Sequence, residues 1–593
     1  MPEYKKSSIS SQKLLQEGLS FHKQGNLKKA QSFYNEVLQN DPNNFEALQL
    51  SATLFLQEKK FNKALEFLNH ALTINSKVPY INYNLGIVLH ELKRHDEALQ
   101  SFNQTIQLKP DFAEAYFNRG VVLEDLERHD EALKSFNQAI QLKSDYAEAH
   151  NNRGNALLDL KRYDEALQSY DQAIKLKPDY AEAHNNRGNA LLDLKRYDEA
   201  LQSYDQAIKL KPDYAEAYYN RGFIYDELRS FDEALKNYNC VIELKPNFAP
   251  AYNNLGNTLQ ELKLFNKALK NFDRAIQLEP NFVEPYWNKS LLKLLLGEYE
   301  EGWKLYEFRK DKKEKISEYL KFSVPLWLGD TPIEGKTILV YSEQGFGDTI
   351  QFCRYLPMLK SLKPKEIIFY VEKRLIPLLS CLNKDVTVLE KNKVLPFFDY
   401  YCPLMSLPLA FKTKLETIPA NVPYIYTPQE KKIFWKKKLG KKNKTRIAIM
   451  HTTHRFDKTR SLTLDQLKKL FKLPFEFHSL QINFTDDDRK TLRSIPNLLV
   501  YESKINEFED AAGLIEQMDL VITVGQTVTH ISGGLGTKTW VLVPFMPSFR
   551  WLLDRDDSPW YPTVKLFRQP KMGDWNSVID ELINELKKLL KYQ

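Results

Sequence analysis

The stretch RGNALLDLKRYDEALQSYDQAIKLKPDYAEA, from Arg153 to Ala183, decides the fold of the first half of the chain. The same letters recur without change from Arg187 to Ala217, 34 residues further along. Self-similarity at a fixed period of this length is typical of proteins built from stacked pairs of helices.

Three positions of this unit are kept along the chain at the same spacing. The first is small at Gly18, Ala52, Gly86, Gly120, Gly154, Gly188, Gly222, Gly256 and Ser290. The second is small at Ala30, Ala64, Ala98, Ala132, Ala166, Ala200, Ala234, Ala268 and Gly302, and the third is proline in six units. Small residues let paired helices approach closely, and proline ends a unit because it cannot continue a helix. We therefore predict about nine helix pairs.

This pattern resembles the tetratricopeptide repeat over residues 11–316. The resemblance implies an α-solenoid superhelix whose concave surface holds another polypeptide or a different large acceptor. One column of this surface is Asn84, Asn118, Asn152, Asn186, Asn220, Asn254 and Asn288. In O-GlcNAc transferases a similar ladder grips extended acceptors, so we interpret these carboxamides as acceptor-binding groups. Asparagine is also common at this repeat position in scaffolds of every function, and a structural role stays open.

The second half alternates short apolar runs with helical patterns, which predicts α/β units with parallel sheets. The repeat register fails at a junction, 317–335, and the first α/β series covers 336–427. A lysine-rich linker, 428–445, separates it from a second series and a closing helix, 446–593. Two Rossmann-like lobes joined by a linker are the outline of a GT-B glycosyltransferase.

The segment SEQGFGDTIQF, which starts at Ser342, follows an apolar run and predicts a strand, a tight turn and a helix start. Gly345 and Gly347 partly match the G-x-G-x-x-G dinucleotide fingerprint, but its third glycine is replaced by Ile350. Asp348 opens the helix. It has two interpretations, a helix cap or a general base that accepts the proton of an attacking hydroxyl.

The runs SEQGFGDTIQFCRYLPMLKSL, FDYYCPLMSLPLAF and WLLDRDDSPWYPTVKLFRQP resemble bacterial tetratricopeptide-repeat proteins fused to a domain similar to ADP-heptose–lipopolysaccharide heptosyltransferases. The likeness covers the chain from about residue 290. It implies that Asp348 is the general base of an inverting transfer to a protein or other large acceptor. A nucleotide sugar would be the donor, and no other cofactor is implied.

In the second series, we predict that the donor diphosphate lies near two segments. One contains Lys458, Arg460 and Ser461, and its alternative interpretation is a solvated basic loop. The other is a strand, turn and helix start with Gln526, Thr527 and His530, where a helix N-terminus is a ready anion site. His530 is equally well interpreted as a structural histidine. No metal-binding DxD pattern is evident, so we predict a metal-independent site.

Two departures support a second hypothesis. Related proteins usually carry V-D-T-x-x-A-H across this turn, whereas this chain has Gly525 and Gln526 at the first two places. The loss of a carboxylate there favours the alternative that the chain is a non-catalytic repeat scaffold with a degenerate transferase-like domain.

The composition of the chain narrows the functional classes to which the protein could belong. A net charge of +7 over 593 residues does not indicate nucleic-acid binding. No apolar run is long enough to cross a bilayer, and the N-terminus has no signal-peptide core. The four cysteines are scattered, which argues against disulfides or a zinc site and favours a cytoplasmic location.

Overall fold

The computed structural model describes residues 2–312, 320, 322–382, 384, 386–452 and 460–591. These residues divide into two compact units, 1–246 and 247–593. The boundary lies inside the repeat array, so the last two helix pairs cluster with the α/β part.

The first unit consists of seven antiparallel helix pairs, which confirms the predicted solenoid. Its helices are α1 (Pro2–Lys23), α2 (Leu27–Asn40), α3 (Phe45–Gln57), α4 (Phe61–Ile74), α5 (Pro79–Glu91), α6 (His95–Leu108), α7 (Ala113–Asp125), α8 (His129–Leu142), α9 (Ala147–Asp159), α10 (Tyr163–Leu176), α11 (Ala181–Asp193), α12 (Tyr197–Leu210), α13 (Ala215–Glu227) and α14 (Phe231–Leu244).

The periodic small residues allow these helices to pack as the sequence predicts. A Cβ atom at Gly154 would lie 2.4 Å from the Tyr170 ring, so only glycine lets this aromatic side chain reach the partner helix. Ala166 and Tyr170 are fully buried.

A second periodic feature lies in the turn inside each pair. The residue two positions before the second helix has a positive φ: Gly25, Lys59, Lys93, Glu127, Lys161, Lys195, Arg229, Lys263 and Gly297. Glycine occupies it only in the first and last pairs, so the seven other residues adopt a left-handed conformation that L-residues disfavour.

The second unit begins with the last two helix pairs, α15 (Ala249–Glu261), α16 (Phe265–Leu278), α17 (Val283–Leu295) and α18 (Tyr299–Tyr306). A short 3₁₀ segment, Glu307–Asp311, follows. Together with the first unit, this gives the nine pairs predicted for the array.

The first sheet of the second unit has four parallel strands in the order β3-β2-β1-β4. Its elements are β1 (Thr337–Tyr341), α19 (Phe346–Phe352), α20 (Leu356–Ser361), β2 (Glu366–Val371), α21 (Ile376–Leu379), β3 (Thr387–Glu390), β4 (Tyr400–Pro403) and α22 (Leu407–Ala410). The predicted runs TILVY and EIIFYV form its two central strands.

The second sheet has seven strands in the order β10-β11-β9-β8-β5-β6-β7, and only the β10–β11 pair is antiparallel. Its elements are α23 (Gln429–Leu439), β5 (Arg446–Met450), β6 (Glu476–Ser479), α24 (Asp486–Leu492), β7 (Leu498–Leu499), α25 (Phe508–Ile515), β8 (Leu520–Val524), α26 (Thr527–Gly534), β9 (Thr539–Val543), β10 (Asp557–Ser558), β11 (Tyr561–Arg568) and α27 (Trp575–Lys591). The direction in which successive strands are added to the sheet reverses between β1 and β4 in one sheet and between β5 and β8 in the other. Open α/β sheets bind ligands at such switch points.

Candidate functional site

Two turns pack against each other at the carboxyl ends of the central strands, and we call the region where they meet the cleft. One turn joins β1 to α19 and the other joins β8 to α26. A Cβ atom at Gly347 would lie 2.9 Å from His530 Cδ2 and 3.4 Å from Thr527 Cα. The structure therefore brings together Gly347, Thr527 and His530, which the sequence places far apart.

Asp348 lies at this contact and makes two interactions. Its Oδ2 atom accepts a hydrogen bond from the Gly345 N–H at 3.0 Å, which is the helix-capping role. Its Oδ1 atom accepts a hydrogen bond from Arg550 Nη2 across the cleft. The Asp348 side chain remains 21% exposed. The carboxylate thus caps α19 and also contacts the segment that follows β9.

Arg550 is a site residue that the sequence did not indicate. It follows β9, and its Nε atom donates to Gln351 Oε1 at 2.6 Å while Nη1 donates to Ser548 Oγ at 3.2 Å. Its guanidinium lies 4.4 Å from the centre of the Phe549 ring. These contacts hold a positive charge at the mouth of the cleft.

His530 is buried on the first turn of α26. Its Nδ1 atom lies 2.8 Å from Tyr561 Oη, and its ring stacks on Trp551 with centroids 6.2 Å apart. Burial, reinforced by Arg550 and Arg354, holds the pKa of His530 well below its ordinary value of 6.5. The imidazole is therefore neutral at physiological pH and serves as a hydrogen-bonding group.

Arg354 is a second residue that the sequence analysis missed. Its buried guanidinium donates to the backbone oxygen of Trp560 at 2.5 Å and to Tyr424 Oη at 2.9 Å. It also lies 4.3 Å from the centre of the Tyr561 ring. Arg354 comes from the first sheet region and Tyr561 begins β11, so the pair joins the two sheets beside His530.

Gln526 lies immediately before the first residue of α26. Its backbone N–H donates to Thr529 Oγ1 at 3.2 Å, and its Nε2 atom donates to the Thr452 carbonyl at 2.9 Å. The Thr452 hydroxyl donates to Ser461 Oγ at 3.3 Å. Gln526 and Ser461 are therefore linked through the segment after β5.

Two further predicted diphosphate ligands are Arg460 and Lys458. Arg460 is exposed. Lys458 falls within 453–459, outside the described residues.

The end of the repeat array fixes the turn before Asp348. Arg309, which is 1% exposed, donates to Glu343 from Nη2 at 2.6 Å and from Nε at 3.0 Å. The Gln344 amide lies 3.1 Å from Tyr306 Oη, and Gln344 has a φ of +62°. The last helix pair and the glycine turn therefore form one packed structure within the second unit.

The asparagine column divides into two groups. Four amides donate to the preceding repeat: Asn118 to Tyr83, Asn186 to Asn151 and Asn155, Asn220 to Asn185 and Asn189, and Asn288 to Asn253. Within the described residues, the amide nitrogens of Asn84 and Asn152 donate no hydrogen bond. Asn254 has a contact of its own. All seven side chains are partly exposed.

Comparisons with known proteins agree on the first half of the chain. Tetratricopeptide-repeat family models match residues 78–145, 117–181, 151–215, 215–248 and 249–282. Residues 23–105 match a model for subunit 3 of the anaphase-promoting complex, or cyclosome. The array consists of tetratricopeptide repeats, which are protein-interaction scaffolds.

One curated protein matches half of the chain. The protein FlbA of Caulobacter vibrioides is 23% identical over 327 residues, a match that covers 50% of this chain and 54% of FlbA. The chain therefore spans about half the length of this curated relative.

Solved structures overlap with part of the chain. YrrB, described as a TPR protein with an unusual peptide-binding site, is 26% identical, with 32% of this chain and all of YrrB covered and a TM-score of 0.28. The APC/C hetero-tetramer Cut9–Hcn1 is 16% identical, with 45% of this chain and 52% of that chain covered and a TM-score of 0.36.

Among the described residues, no helix is both long and apolar enough to cross a membrane.

Proposed function

We propose that this chain is a glycosyltransferase of GT-B shape that moves a sugar from a nucleotide-sugar donor to a polypeptide held by its repeats. The observation that supports this most strongly is the position of Asp348 in the cleft, opposite the N-terminus of α26 and beside Arg550. Two sheets that face each other at their switch points provide the separate acceptor and donor sides that such a reaction needs.

In the proposed reaction, an acceptor hydroxyl attacks the anomeric carbon as the bond to the nucleoside diphosphate breaks. Asp348 takes the hydroxyl proton, and the configuration at the anomeric carbon is inverted. Arg550 and the backbone N–H groups at the start of α26 stabilise the leaving diphosphate. Because these groups supply the positive charge, we expect no requirement for a divalent ion.

The Asp348–Arg550 ion pair has a place in this scheme. A bound diphosphate competes with Asp348 for the Arg550 guanidinium, and arginine is well suited to phosphate. Donor binding would therefore release Oδ1 of Asp348 to act as base only when the substrate is present.

The second candidate is a repeat scaffold whose α/β part is not catalytic. Three features favour it: both Asp348 oxygens accept hydrogen bonds, Gly525 and Gln526 depart from the V-D-T-x-x-A-H pattern and so lack its carboxylate, and His530 is buried. In this case the α/β part would stabilise the end of the array and take no part in chemistry.

A panel of nucleotide sugars distinguishes the two candidates. The full chain is heated with each uridine, guanosine, adenosine and cytidine diphosphate sugar, and the unfolding midpoint and released nucleoside diphosphate are measured. A transferase is stabilised by one nucleotide class and releases its diphosphate. If no donor shifts the midpoint and none is hydrolysed, the transferase proposal is rejected in favour of the scaffold.

A further inference from the structure

Two clusters of metal-ligand side chains recur in the first unit at the repeat spacing. One consists of His90, His95 and Asp125, and the other of Glu124, His129 and Asp159. In each cluster, one ligand atom from every residue lies within 4.8 Å of the other two. The offset between corresponding residues is the length of one repeat, so both clusters occupy the same place in successive units.

The first cluster spans three helices and two repeats. His90 lies near the end of α5, His95 begins α6, and Asp125 ends α7. His90 Nε2 lies 2.7 Å from Asp125 Oδ2, and the two histidine rings are 5.5 Å apart. The Nδ1 atom of His95 is shielded from solvent and has no hydrogen-bond partner among the described residues.

The second cluster indicates which nitrogen faces inward. His129 Nδ1 lies 3.3 Å from Glu124 Oε1 and 3.7 Å from Asp159 Oδ2. His129 is the repeat equivalent of His95, and its Nδ1 atom corresponds to the unpartnered Nδ1 atom of His95.

We propose that His90, His95 and Asp125 bind a divalent transition-metal ion of the zinc type, and that Glu124, His129 and Asp159 form a related site. Imidazole and carboxylate groups are suitable ligands for Zn²⁺ and its neighbours. In tetrahedral geometry, zinc–ligand bonds of about 2.0–2.2 Å place ligand atoms about 3.3–3.6 Å apart. His90 Nε2 and Asp125 Oδ2, now 2.7 Å apart, would therefore separate slightly, and the wider pairs of the cluster would close. A bound ion also gives His95 Nδ1 the partner that it lacks.

The two sites differ in ligand chemistry. The first has two imidazoles and one carboxylate, whereas the second has one imidazole and two carboxylates. The imidazole-rich site should bind Zn²⁺ more tightly. Three protein ligands leave a coordination position for water or for a side chain of a bound partner. An ion at the first site joins α5 and α6 to α7 and so links two repeats.

The array itself supplies conservative test variants. At the place of His95 and His129, the next two repeats carry Tyr163 and Tyr197, so the fold accepts tyrosine there. His95→Tyr and His129→Tyr each remove one ligand with a residue that the repeat already uses. His70→Gln is the control, because His70 lies outside both clusters and its ring pairs with Asn43.

The experiment titrates Zn²⁺ into the full, tag-free, metal-stripped chain by calorimetry. We expect saturable binding that His95→Tyr weakens at least about tenfold, that His129→Tyr reduces in stoichiometry, and that His70→Gln leaves unchanged. Zn²⁺ should also raise the unfolding midpoint of the unsubstituted protein more than that of His95→Tyr. The absence of saturable binding, or binding to His95→Tyr equal to that of the unsubstituted protein, would overturn the proposal.

Discussion

Asp348 and Arg550 are 202 positions apart in the chain, yet their side chains form an ion pair across the cleft. The pair connects the first turn of α19 with the segment that follows β9. Because both side chains are partly exposed, the strength of the pair is moderated by solvent. The same two residues are the base and the diphosphate ligand of the proposed reaction.

The ion pair predicts coupled effects on the local stability of the cleft. Asp348→Asn and Arg550→Gln should each speed hydrogen exchange of the α19 amides. In a double-mutant cycle their effects should be non-additive by about 1 kcal/mol. Additive effects, measured by exchange mass spectrometry, would show that the pair contributes no net stability.

The asparagine column predicts different results at two positions. Asn186→Ala should destabilise the array by about 1 kcal/mol, because it removes hydrogen bonds to the preceding repeat. Asn152→Ala should destabilise the array less than Asn186→Ala but weaken capture of an unstructured polypeptide, because its amide nitrogen donates no bond within the described residues, although its Oδ1 atom accepts one from Asn151 at 3.1 Å. Denaturation and a peptide-library binding assay measure the two effects.

The control for this pair is Lys134→Ala, an exposed substitution on α8 outside the column. It should change neither stability nor capture appreciably. If Asn152→Ala lowers stability as much as Asn186→Ala does, the column has a structural role throughout.

Burial of neutral His530 predicts a pH dependence of stability. Below about pH 6.5 the unfolded chain binds a proton at this residue and the folded chain does not, because the pKa of folded His530 is lowered. The free energy of unfolding should therefore fall as the pH drops through this value. Above it, the residue contributes no pH dependence.

Thermal unfolding at about pH 7.5 and about pH 5.5 tests this sign. His530→Asn should lose less stability between the two pH values than the unsubstituted protein does. His70→Gln should lose as much stability as the unsubstituted protein does. Equal losses in His530→Asn and the unsubstituted protein would mean that this histidine is protonated in the folded chain.

The left-handed turn residues predict a stabilising substitution. Lys161 has a φ of +59°, and Gly25 and Gly297 occupy the equivalent place in the end repeats. Lys161→Gly should raise the free energy of unfolding by about 0.5–1 kcal/mol, since glycine adopts this conformation without a Cβ clash. Lys134→Gly, inside α8, should lower it by a similar amount. Denaturant titration distinguishes these outcomes, and a loss at both positions would contradict the account.

The sequence was sufficient to predict the helix pairs, because one register of small residues such as Gly154 and Ala166 determines both helices and their packing. The strands β1, β2 and β5 to β9 were also predictable from their apolar runs, whereas β3, β4, β10 and β11 were not. The division between Pro246 and Asn247 was not, since the repeat pattern continues unchanged across it.

Much of the cleft could not be predicted from sequence. Arg550 and Arg354 act through contacts with residues distant in the chain, and no local pattern distinguishes them from other arginines. The different bonding of Asn152 and Asn186 depends on the preceding repeat, which has Phe117 and Val121 where the next one has Asn151 and Asn155. Such neighbours become visible only when successive repeats are aligned in space.

Diphosphate release from the stabilising nucleotide sugar is the most direct test of the central claim, that Asp348 is the base of a glycosyl transfer. The full chain, Asp348→Asn and the exposed α27 control Asp580→Asn are compared at saturating donor with a polypeptide acceptor. We predict that Asp348→Asn lowers the rate about 10²–10⁴-fold while the donor still raises its unfolding midpoint, and that Asp580→Asn behaves as the unsubstituted protein does. Turnover by Asp348→Asn at the unsubstituted rate would contradict the account.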